Sequence, residues 1–74
     1  MMTLDNVSTG KTVKIVRLNS TGPVKRRLMD MGLLKGVEAT VLRIAPLGDP
    51  VELSVRGYDL SIRKSEAALI EVEA

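Results

Sequence analysis

The sequence predicts a mainly β fold: a small, partly open β-barrel of about five short strands, with one helical insertion between the first two. Three observations predict it. Leu, Ile and Val supply 23 of the 74 residues, enough apolar side chain for a packed core. The β-branched and alternating runs are short, and clusters rich in Gly, Pro, Asn and Ser separate them. A single segment carries apolar residues at helical spacing. Strands this short and numerous expose the fewest unpaired edges when they curl into a barrel.

In chain order, Thr3 is placed to cap a helical turn over Leu4 to Val7. Ser8 to Lys11 reads as a turn, and Thr12 to Leu18 as the first strand, on its β-branched residues. Asn19 to Pro23 is a helix start: Ser20, Thr21 or Gly22 can cap, and Pro23 suits the first helical position because its missing N–H costs nothing there. Val24, Leu28 and Met31 then fall on one helix face, with Lys25, Arg26, Met29 and Asp30 largely off it. Gly32 can end the helix with a positive φ.

After a tight connection at Leu33 to Gly36, Val37 to Ala45 is the second strand. Pro46 to Pro50 is a loop, because two prolines and a glycine do not fit a ladder. Val51 to Arg56 alternates, with Val51, Leu53 and Val55 inward. Gly57-Tyr58 fits a two-residue type II′ turn, and Asp59 to Arg63 is the returning strand, with Leu60 and Ile62 inward. Lys64 to Ala68 makes one helical turn, and Leu69 to Val72 a last strand. An SH3-like and an OB-like strand order both satisfy this pattern.

At about 100–200 residues per domain, residues 1–74 form a single domain. The sequence has no Cys, His, Trp or Phe, and one Tyr. Thiol chemistry, zinc ribbons and iron–sulfur sites therefore drop out, along with the usual proton shuttle. Asp30, Asp49, Glu52 and Asp59 match no metal-loop spacing, and Met29 and Met31 suit Cu(I) better than a divalent ion. No phosphate loop or nucleophile motif occurs. The expectation is no enzyme, no cofactor and no metal site. The longest apolar run, Ala67 to Ile70, is far short of the about 20 residues a membrane span needs. No membrane insertion is expected, nor a signal peptide. One Tyr cannot line a polyproline groove or a base-stacking platform, so no specific nucleic acid is expected either.

Charge is uneven. Residues 1–43 hold eight basic and three acidic side chains, while residues 44–74 hold three basic and six acidic. Within the basic part, Lys25-Arg26-Arg27 lies on the helix. The stem of Arg27 is placed to cover the apolar stripe. Lys25 and Arg26 are better placed to meet the acidic surface of a partner.

Arg27-Leu28-Met29-Asp30-Met31-Gly32-Leu33, followed by Gly36, resembles the signature segment of the FeoA family of ferrous-iron-transport accessory proteins. Pro46 to Pro50, Gly57, Leu60 to Arg63 with Glu66-Ala67, and Leu4, Val7, Gly10 and Ile15 are similar to the rest of that pattern, so the resemblance covers essentially the whole chain. Lys35 stands where the family often has Pro, and Ser61 where a small apolar residue is common. The resemblance implies an SH3-like barrel with a helical insertion. It implies a bacterial, cytoplasmic protein that modulates FeoB, a membrane ferrous-iron transporter with a GTP-binding domain, and is recruited to the inner face of the membrane through it. Transition metal ion binding comes with the resemblance only at the level of the family.

The leading reading is thus an interaction module that docks on the cytosolic part of FeoB. Its expected contact residues are Lys25, Arg26, Asp30, Leu33 and Leu34, the exposed side of the helix and its exit. Two other readings stay open. One is a regulatory module of a metal-dependent transcriptional repressor system. The other is a GTPase-activating partner of the FeoB G domain, with Arg26 or Arg27 as arginine finger. An unpaired edge strand would also allow a weak homo-oligomer.

Overall fold

A computed structural model describes residues 2–74. The strands are β1 (Met2–Thr3), β2 (Thr12–Leu18), β3 (Glu38–Ile44), β4 (Val51–Val55), β5 (Tyr58–Ile62) and β6 (Ile70–Glu73). The helices are α1 (Gly22–Asp30), between β2 and β3, and the single turn α2 (Lys64–Ala67). One antiparallel sheet runs β1-β6-β2-β3-β4-β5. Its two end strands do not pair with each other, so the barrel is open along one seam.

The five expected strands and the inserted helix are all present. The core collects their inward side chains: Val13 and Ile15 of β2, Ala39 and Val41 of β3, Val51, Leu53 and Val55 of β4, Ile62 of β5, and Ile70 and Val72 of β6. Leu28 from α1 and Ala67 from α2 close it from outside the sheet.

Four details depart from the sequence reading. The sixth strand, β1, pairs Met2 with Val72 and Thr3 with Glu71. Two residues are too few to show alternation. Thr3 does not cap the 3₁₀ turn at Leu4–Asn6 through its side chain; its hydroxyl donates instead to Asp5 Oδ1. The β4–β5 hairpin turns on Arg56-Gly57, not Gly57-Tyr58, because Val55 pairs with Tyr58. Arg56 has φ 53° and Gly57 φ 82°, the type I′ pattern, which needs positive φ at both central residues. Arg56 carries a Cβ in that strained region. Arg56→Asn is therefore expected to stabilise the domain by about 0.5–1 kcal/mol, seen as a higher Tm. Finally, Val24 is 41% exposed although it shares the periodic face of Leu28. It sits in the first turn of α1, and Leu28, a turn further on, is the helix's buried residue.

The exit of α1 is a Schellman motif. Leu33 N–H donates to Leu28 C=O at 3.1 Å, and Gly32 N–H to Met29 C=O at 2.9 Å. Gly32 takes φ 93°, as the residue after the helix requires here. This ending normally carries an apolar contact between the residue that closes it and the last helical turn. Leu33 and Leu28 are those residues, and both lie in the core.

Candidate functional site

Four of the five expected contact residues reach the surface of α1 and its exit, and one does not. Lys25, Arg26 and Asp30 are exposed on α1, and Leu34 is half-buried. Leu33 is 0% exposed and is withdrawn as a contact residue. The Schellman bond that closes the helix turns its side chain inward. A core of this size takes one of the two leucines after Gly32 completely and leaves the other at its margin.

These residues line two adjoining hollows that share Lys25 and Met29. The smaller runs over the outer face of α1, past Pro23, Arg26 and Asp30. The larger, about 840 Å³, lies between α1 and the second half of β2. Its apolar lining is Val16, Leu18, Met29 and Leu34, and its basic side chains are Arg17, Lys25 and Lys35. The Ser20 hydroxyl oxygen, in its wall, is buried without a hydrogen-bond partner.

Two local features open the larger groove. The β2–β3 ladder runs from Thr12↔Thr40 to Lys14↔Glu38 and ends at Ile15, which exchanges bonds with Val37 and Gly36. From there the chain leaves for the helix exit, so Val16 to Leu18 have a strand only on the β6 side. On that side the register slips between Ile15↔Val72 and Arg17↔Glu71, leaving Val16 as an extra, unpaired residue. Such a bulge bends a strand and redirects its side chains. Val16 in the bulge and Leu18 beyond it are both half-buried.

The sequence reading did not count Val16, Arg17, Leu18, Met29 or Lys35 among the contact residues. Met29 had a visible signal, since it stands four residues after Lys25 and so shares a helix face with it. The bulge had none.

Arg27 behaves differently from its two basic neighbours. Its guanidinium pairs with Glu66 Oε2 of α2, while Glu66 Oε1 accepts the Arg63 N–H at 2.8 Å. That second bond is half of a capping box; Arg63 has no side-chain acceptor for the other half. Arg27, expected to cover the apolar stripe with its stem, makes an ion pair that ties α1 to α2. Lys25 and Arg26 form no ion pair among the described residues.

The carboxylates are dispersed. Asp49 Oδ1 accepts the Lys64 N–H at 2.9 Å, and Glu52 lies 3.6 Å from Arg43. Among the described residues, no three of His, Cys, Asp and Glu gather into a group that could hold a metal ion. No described helix is long and apolar enough to cross a membrane.

The comparisons agree with this architecture. A Fe(2+) transport protein A/Fe(2+) transporter FeoB fusion protein of Porphyromonas gingivalis is 40% identical over 72 residues, 97% of this chain. This chain spans only 8% of that relative. The solution structure of a FeoA-like protein from Clostridium acetobutylicum matches with a TM-score of 0.91 and 42% identity, covering 99% of this chain and 85% of that one. The zinc complex of Stenotrophomonas maltophilia FeoA, described as a procaryotic SH3 domain protein, matches with a TM-score of 0.81 and 26% identity, covering 99% of this chain and 91% of that one. The strand order of the open barrel is thus the SH3-like one. The FeoA domain model matches residues 2–74, and the chain belongs to the FeoA family.

Proposed function

We propose that this domain is an accessory protein of ferrous iron uptake that docks on the cytosolic part of a FeoB-type transporter and modulates it, without turning over a substrate of its own. One observation carries the reading: the P. gingivalis relative joins a segment 40% identical to this chain to FeoB in a single protein. Two modules that work in contact gain from such a tether, because their second encounter becomes intramolecular. Tethered or not, such a contact needs a surface on the domain. Lys25, Arg26, Asp30 and Leu34, with Met29 among them, supply one. Docked there, the domain sits in the cytoplasm at the inner face of the membrane.

The test is titration of a FeoB cytosolic domain with this protein. The double reversal Lys25→Glu/Arg26→Glu is expected to weaken binding about tenfold or more. Both side chains are exposed and unpaired, so stability should stay within about 0.5 kcal/mol. Undiminished binding would remove this surface from the reading. Arg27 is engaged by Glu66, which leaves Arg26 as the free guanidinium for an arginine-finger role. Single-turnover GTP hydrolysis that accelerates with this protein, and not with Arg26→Ala, would make the modulation catalytic in trans.

A further inference from the structure

The groove between β2 and α1 has three properties that together specify an occupant. Its centre is apolar, from Val16, Leu18, Met29 and Leu34; Leu18 and Leu34 pack against the core, while Met29 is 42% exposed. Its charged side chains are Arg17, Lys25 and Lys35, all basic, and no carboxylate among the described residues lines it. Glu71, the cross-strand partner of Arg17, is held by the Asn19 amide at 2.9 Å. Along one side, the edge of β2 from Val16 to Leu18 has no strand beside it among the described residues.

An apolar centre with a basic rim excludes a simple polyanion as the best fit. A phosphate or nucleic-acid backbone would use the rim and leave the methyl and thioether groups in contact with water. A neutral apolar peptide would use the centre and leave three cations unanswered. A peptide that lies along an open strand edge places alternate side chains on the domain and the others outward.

We propose that this groove binds an extended acidic peptide segment whose inward side chains are aliphatic. The proposal rests on the docking reading above and names the chemistry of the partner segment. The aliphatic side chains cover Met29 and Leu34. The carboxylates meet Arg17, Lys25 and Lys35. Electrostatic attraction of this kind acts mainly on encounter and on choice of partner, and salt screens it.

The experiment selects displayed random peptides on the intact protein, then titrates a fluorescein-labelled synthetic copy of an enriched sequence. Expected sequences combine Asp or Glu with Leu, Ile or Val. Amide shifts on binding should cluster at residues 16–21, 29 and 34. Affinity should fall about tenfold with Met29→Glu, which sets a carboxylate in the groove at an exposed position, and should fall again as salt rises. Lys25→Glu gives a second variant of the same kind. Enrichment of neutral or basic sequences, no enrichment, or shifts on another face would overturn the proposal. So would poly-uridylate or inorganic phosphate displacing the peptide.

The two readings fail separately. A FeoB cytosolic domain that binds Met29→Glu protein undiminished leaves docking intact and removes the groove. Acidic peptides that bind the groove while that domain does not bind the protein leave the groove intact and remove the transporter.

Discussion

Leu33→Ala is expected to bring the domain close to unfolding, while Leu34→Ala leaves it folded. Leu33 is fully buried and closes the helix end on Leu28. Truncating such a leucine costs about 2–5 kcal/mol, depending on how far the site can collapse. A core in a chain of this size supplies only about 3–5 kcal/mol of net stability. Each kcal/mol moves Tm by about 4–8 °C in a domain of 60–100 residues, so the loss is in the tens of degrees. Leu34 lies at the core margin and lines the groove. Its truncation should lower Tm by a fraction of that amount and show its main effect in partner binding. Thermal unfolding of both variants, followed by circular dichroism, checks the contrast. Equal losses would contradict the assignment of Leu33 to the core and Leu34 to the surface.

The second large effect is an asymmetry across the ion pair between the helices. The Arg27 side chain is 52% exposed and that of Glu66 12%. Arg27→Ala strands a buried carboxylate that keeps only the Arg63 N–H as partner. Glu66→Ala releases a guanidinium that can turn into water. Leaving a buried charged group without its partner costs about 1–3 kcal/mol. Removing a half-exposed charge from its partner costs less, because solvent takes over. Glu66→Ala also loses the bond to the Arg63 N–H, worth about 1 kcal/mol at a helix start. Arg27→Ala is thus expected to match or exceed Glu66→Ala in lost stability, although its side chain is the more exposed. The double variant should cost less than the sum of the two. Urea unfolding of the three proteins measures this. A fully additive double variant would show that the pair contributes nothing beyond its separate contacts.

Much of the fold was legible because the signals were local. Val51, Leu53 and Val55 alternate, Pro46 and Pro50 bracket a loop, and Pro23 and Gly32 bound the helix. What was not legible depends on non-local registration. The β1 pairing exists because Met2 and Thr3 meet β6 across the full length of the chain. The hairpin turned one residue earlier than expected, with Arg56 at positive φ; either register lays the inward faces of β4 and β5 together, so the alternation does not choose between them. The candidate site was half legible for the same reason. Lys25, Arg26 and Asp30 stand out as polar residues on a helix. The β2 side of the groove arises from a slipped register at Val16, which no run of residue types announces. Leu33 and Leu34 are adjacent and chemically identical. Only the closing bond of the helix decides which of them faces inward.

The pairing of β1 with β6 has a consequence for how the domain can be attached to other chains. Met2 lies opposite Val72 on neighbouring strands, so peptide leaving either end sets out from one corner of the barrel. A tether fixed there, in front or behind, holds the domain by the same handle. Lys25 and Arg26 stand on α1, on neither of those two strands, so a tether at either end leaves their helix outside the point of attachment.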